Sequence, residues 1–107
     1  MYFNSIRIKT TDQKDYPVAL DKYYSINLNN FRKYNFQDVQ TDEYRRKFGS
    51  YPVLTDAQMD EVNSIGRLIM FNGLKRGRLV MNETFIIGRD CCHIKLIAGK
   101  TQYKIDL

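Results

Sequence analysis

The residues of this chain that could carry covalent or metal chemistry lie together at positions 91–93. Cys91 and Cys92 are its two cysteines, and His93 is its one histidine. If this segment is a strand, Cys91 and His93 share a face, and a thiolate–imidazole pair is conceivable with Asp106 opposite the base. Structural zinc needs four nitrogen or sulfur ligands, and this set offers three. We therefore expect no metal, no cofactor and no catalytic residue here, but a half-buried strand with Cys92 in the core.

A second motif, AGKT at residues 98–101, resembles the tail of a phosphate-binding P-loop. The complete motif has a glycine five residues before Gly99, where this chain has Ile94, and a helix follows it. We interpret Gly99 and Lys100 instead as the central residues of a type II′ turn between two strands. No pair of carboxylates has the pattern of a general acid–base site. The sequence therefore predicts a protein that is not an enzyme.

Charge is distributed unevenly along the chain, and this is the strongest indication of function. Residues 1–61 contain nine basic and nine acidic residues, so this half is neutral. Residues 62–107 contain eight basic and three acidic residues and carry the whole net charge of +5. A basic surface confined to one half of a small domain attracts phosphate backbones or acidic partners. The candidate nucleic-acid-binding residues all lie in this half: Arg67, Lys75, Arg76, Arg78, Lys95 and Lys104.

The basic half predicts a small binding protein that engages nucleic acid, or a protein complex bound to nucleic acid. It would act by occupying this partner and not by catalysing a reaction. A regulator, or an inhibitor carried by a phage or mobile element, would act in this way. The alternative is a protein-interaction or assembly subunit, virion or ribosome-associated, with no direct nucleic-acid contact. In that case the basic patch would meet an acidic protein, and the neutral, aromatic-rich half would form the interface.

Length and composition restrict the class of protein. With 107 residues, 43% of them hydrophobic, the chain is expected to be a single packed domain over residues 1–107. No apolar run approaches the ~20 residues of a membrane span, and the N-terminus lacks the order of a signal peptide. We therefore expect a cytoplasmic protein with no membrane partner. The richness in Asn, Lys, Ile and Tyr is typical of an AT-rich genome, such as that of a low-GC bacterium or its phage.

Alternating apolar and polar residues predict two N-terminal strands, residues 2–9 and 18–28. In the first strand, isoleucines occupy one face and basic residues the other. In the second, most even positions from Val18 to Leu28 are apolar, with Lys22 as the exception, so we expect them to face the core. The two strands are predicted to pair in antiparallel orientation.

Two helices are predicted after these strands. Thr41 can cap a short helix at residues 42–48 that ends at Gly49. A long central helix is predicted at residues 56–72. Its signals are a capping box and an apolar face at helical spacing, made by Thr55 with Gln58 and by Met59, Val62, Ile65 and Ile69.

The last third of the chain is predicted to form short strands, at residues 78–81 and 84–88, and then a hairpin around Gly99. The expected cross-strand partners are Ile94 with Ile105, Leu96 with Tyr103, Lys95 with Lys104, and His93 with Asp106. Together these elements predict an α+β fold. A mostly antiparallel sheet, built from the N-terminal strand pair and the C-terminal strands, would pack against one long central helix and one short helix.

Overall fold

The computed structural model describes residues 3–107 and shows a small mixed α+β domain with two sheets and few helices. Its elements, in chain order, are β1 (Ser5–Thr11), β2 (Lys22–Asn27), β3 (Lys33–Tyr34), α1 (Val39–Phe48), β4 (Ser50–Thr55), a 3₁₀ helix (Asp56–Glu61), β5 (Arg67–Lys75), β6 (Arg78–Arg89), β7 (Ile94–Ala98) and β8 (Gln102–Lys104). The predicted α+β class is confirmed, whereas the predicted long central helix is wrong. In the described part of the chain, no helix is long and apolar enough to cross a membrane.

The strands divide between two sheets. A three-stranded sheet has the order β4-β1-β8, with β1 antiparallel to β4 and parallel to β8. An antiparallel five-stranded sheet has the order β3-β2-β5-β6-β7. The predicted pairing of the first two strands is therefore wrong, because β1 and β2 belong to different sheets. The first strand was expected to begin at Tyr2, which lies outside the described residues.

Residues of both sheets share one hydrophobic core, and strand β2 faces it with the opposite parity from the one predicted. The odd positions Tyr23, Ser25 and Asn27 are fully buried, whereas the even positions between them, Tyr24 and Ile26, are only half-buried. Hydrogen bonds offset the cost of burying the polar side chains of Ser25 and Asn27. The Ser25 hydroxyl donates to the carbonyl of Val53 at 2.6 Å, and the Asn27 amide donates to the carbonyl of Glu61 at 3.1 Å. The alternation of apolar and polar residues does not predict this orientation of β2, because it assigns polar residues to the solvent-facing side.

The segment predicted as a long helix, residues 56–72, begins as expected and then leaves the helical path. The capping box exists, with the Thr55 backbone N–H donating to the Gln58 side chain at 3.1 Å, but it starts only a short 3₁₀ helix. The Asn63 side chain then accepts from the backbone N–H of Gly66 at 2.8 Å, a local turn that competes with helix formation. Ile65, expected in the core, is 85% exposed.

The apolar run at residues 68–71 belongs instead to β5, which lies between β2 and β6 in the larger sheet. A continuous apolar run suits a central strand as well as a buried helix, and long-range pairing decides between them. Asn72 and Gly73, expected to stop the helix, lie within β5. The two short strands predicted next are one strand, β6, of twelve residues.

The predicted C-terminal hairpin is also wrong. Strand β7 pairs with β6, where Leu96 lies opposite Ile87. Strand β8 pairs with β1 in the other sheet, where Gln102 lies opposite Lys9. Gly99 does have a positive φ of 134°, as the predicted turn requires. The segment that contains it, however, connects strands of two different sheets and not two strands that pair with each other. The predicted oppositions of Lys95 with Lys104 and of His93 with Asp106 therefore do not form.

The short helix α1 ends where the sequence predicts but begins earlier. Its N-cap is Asp38, whose carboxylate accepts from the Gln40 backbone N–H at 3.1 Å, so Thr41 lies inside the helix rather than capping it. Gly49 ends the helix in the left-handed conformation, with φ of 61°. One turn of helix separates Tyr44 from Phe48, and their ring centroids are 4.7 Å apart.

Candidate functional site

Three of the six predicted binding residues come together at the turn between β5 and β6. Lys75, Arg76 and Arg78, which we call the tip cluster, line a cleft of about 320 Å³. Asp106 lines the same cleft, so a carboxylate lies close to these cations. The cluster forms because a tight turn joins two long paired strands, in which Lys75 lies opposite Arg78.

The tip cluster is held by hydrogen bonds to a neighbouring segment of the same chain, residues 19–21. The Lys75 Nζ donates to the backbone carbonyl of Ala19 at 2.9 Å. The backbone N–H of Arg76 donates to Asp21 Oδ2 at 2.7 Å, and this hydrogen bond lowers the pKa of Asp21 below its ordinary value. Asp21 also forms an ion pair with Arg46 at 3.2 Å. The charge of this cluster is therefore partly balanced within the fold.

The other three predicted residues lie apart from the tip cluster. Arg67 begins β5, eight residues from Lys75 and so about 26 Å away along the strand. Lys95 lies on β7 opposite Gly88. Lys104 lies on β8 and forms an exposed ion pair with Asp15 at 3.2 Å. The six residues therefore do not make a single surface.

A different basic site lies in the N-terminal half, where the sequence shows no net charge. Helix α1 and strands β1 and β4 form a groove of about 630 Å³. We call it the α1–β1 groove. Its lining includes three basic side chains and two aromatic rings: Arg7, Lys9 and Arg45, and Tyr44 and Phe48. No carboxylate occurs among the described residues that line it.

Local structure explains how these side chains reach one groove. Arg7 and Lys9 are two residues apart on β1 and point to its exposed face, while Ile8 between them is buried. Tyr44 and Phe48 lie one turn apart on α1, so both rings project from one side of the helix. The left-handed Gly49 turns the chain directly from α1 into β4, which places the helix beside the small sheet.

Two of the groove cations are positioned by hydrogen bonds to uncharged groups. The Arg7 guanidinium donates to the hydroxyl and the carbonyl of Ser50, at 3.2 and 3.3 Å. Arg45 donates to the backbone carbonyl of Phe36 and to the hydroxyl of Tyr23, the latter at 3.4 Å. Since these partners carry no charge, neither arginine is neutralised by direct contact with a carboxylate; Asp42 reaches Arg45 only through the Tyr23 hydroxyl.

The electrostatics of the groove favour an anion. Arg7 and Arg45 line the same groove, and burial together with the positive charge of Arg45 lowers the pKa of Arg7 below its ordinary value. Arg7, Lys9 and Arg45 form no ion pair with a carboxylate within residues 3–107. Two like charges held close in a partly desolvated groove repel, and a bound anion would relieve that repulsion.

Lys9 also lines a second cleft on the same sheet face, of about 360 Å³, between β1 and β8. Lys104, one of the predicted residues, lies in this cleft with Gln102 and Tyr103. Asp15 lines it too and balances Lys104. The basic surface therefore continues from the α1–β1 groove across β1, although with less net charge.

The cysteine–histidine segment is an exposed turn and not the predicted half-buried strand. Cys91 and Cys92 are both exposed and form a disulfide with each other. The Asp90 carboxylate accepts from the backbone N–H groups of Cys92 and His93 at 2.8 and 2.9 Å, which defines the turn. Cys92 is therefore not a core residue, and a disulfide offers no thiolate for the pair considered above.

His93 contacts a carboxylate other than the expected Asp106. Its Nδ1 lies 2.7 Å from Asp56 Oδ2, and Asp56 also accepts from the backbone N–H groups of Asn4 and Ile94, both at 2.8 Å. Burial alone would raise the pKa of Asp56, but these hydrogen bonds lower it to about 2. Asp56 thus holds three segments of the chain together, which is a structural role.

Sequence reasoning missed the α1–β1 groove, although signals for its parts exist. The basic face of β1 and the Tyr44–Phe48 spacing on a helix are both visible in the sequence. Their juxtaposition is not visible, because it depends on the turn at Gly49 and on the pairing of β1 with β4. A count of net charge by halves also conceals it, since none of the nine acidic residues of residues 1–61, all of which the structure describes, lines the groove.

Comparison of the chain with protein-family models, with curated proteins and with solved structures finds no match.

Proposed function

We propose that this protein is a non-catalytic binding module that engages nucleic acid, alone or within a protein complex, through the α1–β1 groove. The observation that carries the proposal is the grouping of Arg7, Lys9 and Arg45 around one groove that has no carboxylate in its lining. Binding by occupation, as by a regulator or an inhibitor, suits a site that offers charge and shape but no carboxylate, imidazole or thiol among the described residues of its lining.

Physical chemistry favours a phosphate backbone as the ligand of such a groove. Each cation that neutralises a phosphate releases condensed counterions, and this release supplies most of the sequence-independent affinity for nucleic acid. Arginine fits phosphate geometry especially well because its planar guanidinium can donate two parallel hydrogen bonds. Cations with a carboxylate close by, as Asp21 and Asp106 are to the tip cluster, attract an anion less strongly because the nearby negative charge offsets part of theirs. This favours the groove over the tip cluster, whose role in binding stays a prediction.

The experiment is fluorescence anisotropy with a labelled oligonucleotide between about 50 and 200 mM salt. Replacing Arg7 and Lys9 together by glutamine should lower the slope of log affinity against log salt by between one and two units. The matched control, Arg76→Gln with Arg78→Gln, removes the same charge from the tip cluster and should change the slope less. The opposite ranking would move the contact to the tip cluster, and absence of wild-type binding even at low salt would refute the proposal.

A protein-interaction subunit is the second candidate, and one feature favours it. The face of the five-stranded sheet that points away from the core carries Tyr24, Ile26, Leu68, Met70 and Ile86 on adjacent strands. All five are at least partly exposed, and an apolar patch of this kind is typical of a protein interface. Binding of a protein in place of an oligonucleotide, with an affinity that depends only weakly on salt, would favour this candidate.

A further inference from the structure

The α1–β1 groove has two chemically different walls, and they point to a more specific ligand. Arg7 and Lys9 on β1 form a charged wall, and Tyr44 and Phe48 on α1 form an aromatic wall. Tyr44 is 63% exposed and Phe48 is 44% exposed, so both rings retain open surface beyond their contact with each other.

The two walls lie close enough to act on one ligand. All four side chains line the same groove, whose volume lies within the ~300–1,000 Å³ range of sites for small ligands. A ligand held here would therefore present negative charge on one side and a flat apolar surface on the other. A nucleotide unit has this character, with a phosphate and a base.

Base pairing decides which form of nucleic acid can use the aromatic wall. In a duplex the bases stack on each other, so their flat faces are covered and only phosphates and groove edges are accessible. Unpaired bases expose their flat faces, and proteins that bind single strands commonly stack these on aromatic side chains beside a basic track. We infer that the α1–β1 groove binds single-stranded nucleic acid, with phosphates on Arg7 and Lys9 and an unpaired base stacked on Tyr44 or Phe48.

The spacing of the charged wall agrees with this ligand. Arg7 and Lys9 are two residues apart on a strand, so their Cα atoms are separated by about 7 Å along β1. Two cations in line can follow an extended polynucleotide backbone. The Lys47 ammonium lies 5.6 Å from the centre of the Phe48 ring and adds positive charge at the aromatic wall.

This inference rests on the proposed function, and an experiment with abasic strands separates the two. A labelled oligothymidine is compared with a strand of equal length and charge whose bases are replaced by abasic spacers. Wild type should bind the base-containing strand roughly tenfold more tightly, because the abasic strand keeps the phosphates but has nothing to stack. Tyr44→Leu should remove most of that difference and leave the salt slope unchanged, since no phosphate contact is lost.

The matched control is Tyr16→Leu, which removes a ring of similar exposure, 65%, that does not line the groove. It should keep the full preference for bases. Phe48→Leu tests the second ring independently, and circular dichroism of each variant checks that α1 is intact. Leucine keeps helix propensity high at both positions.

The outcomes distinguish the two levels of the proposal. Equal, salt-dependent binding of base-containing and abasic strands by wild type would overturn the single-strand inference and leave the proposed function standing. A preference for bases that survives the replacement of both rings together, in a Tyr44→Leu, Phe48→Leu double variant, would also overturn it. Absence of binding to either strand at low salt would refute the proposed function itself.

Discussion

The α1–β1 groove and the tip cluster each contain three basic residues, yet the fold treats them differently. In the tip cluster, Asp21 accepts from the Arg76 backbone and Asp106 lines the cleft. In the groove, uncharged hydroxyl and carbonyl groups orient Arg7 and Arg45. Charge counted along the chain therefore does not measure charge presented on a surface. The neutral half holds a basic site because, within the described part of the chain, none of its carboxylates lines the groove or forms an ion pair with Arg7, Lys9 or Arg45.

The two regions also differ in how firmly the fold builds them. The groove stands on a buried framework, since Tyr23 and Tyr51, both fully buried, lie beneath it with ring centroids 4.7 Å apart. The tip is a turn at the end of two strands. A Cβ atom added at Gly77, within this turn, would have no heavy atom within 4 Å other than those of Gly77 and its two chain neighbours. Perturbing the framework of the groove should therefore cost more than perturbing the tip.

The largest expected effect comes from adding one methyl group at the glycine of each region. A Cβ at Gly49 would lie 2.4 Å from the backbone carbonyl oxygen of Thr10, and φ there is 61°. Gly49→Ala should lower the free energy of unfolding by about 2–4 kcal/mol through clash and left-handed strain together. Gly77→Ala has φ of 75° but open space, so about 1 kcal/mol is expected. Chemical denaturation measures both, and equal losses would contradict the comparison.

Sequence reasoning predicted those parts of the fold that local rules decide. The end of α1 at Gly49, the capping box at Thr55 and the inward Ile8 of β1 are confirmed, because each depends on residues within one turn or one strand. The α+β class followed from the mixture of such signals.

Long-range pairing decided the rest, and there the sequence was insufficient. The run at residues 68–71 fits a buried helix and a central strand equally well, and only its pairing with β2 and β6 makes it a strand. The C-terminal hairpin had a consistent register, yet β7 and β8 each pair with another strand. For the candidate site, individual parts were visible, but their assembly depends on this same long-range pairing.

A smaller effect is expected where the core supports the groove. The Tyr23 hydroxyl donates to Asp42 at 2.8 Å and accepts from Arg45, so it links the core to a groove cation. Tyr23→Phe should lower the free energy of unfolding by about 1 kcal/mol, because it removes these hydrogen bonds and little else. Denaturation measures the loss, and anisotropy should show weaker oligonucleotide binding as Arg45 loses one of its supports. Unchanged stability and unchanged affinity together would show that Tyr23 does not position Arg45.

The smallest expected effect is at the tip, and it depends on pH. The hydrogen bond from the Arg76 backbone N–H lowers the pKa of Asp21 below its ordinary value. A carboxylate whose folded pKa is depressed stabilises the fold above its unfolded pKa, and this contribution is lost as pH falls through the folded pKa. Wild type should therefore be slightly more stable than Asp21→Asn at pH 7. Because the group is exposed, the difference should be well under about 1 kcal/mol.

That difference should shrink as the pH is lowered below about 4, where Asp21 begins to be protonated in the unfolded chain. Denaturation midpoints of wild type and Asp21→Asn across this range measure it. The groove supplies the control, since no carboxylate lines it: the difference between wild type and Arg7→Gln should stay nearly constant over the same range. A difference for Asp21→Asn that persists unchanged at low pH would mean that its carboxylate charge does not hold the tip. The tip charge would then be as uncompensated as that of the groove, and the contrast between the two regions would rest on the framework alone.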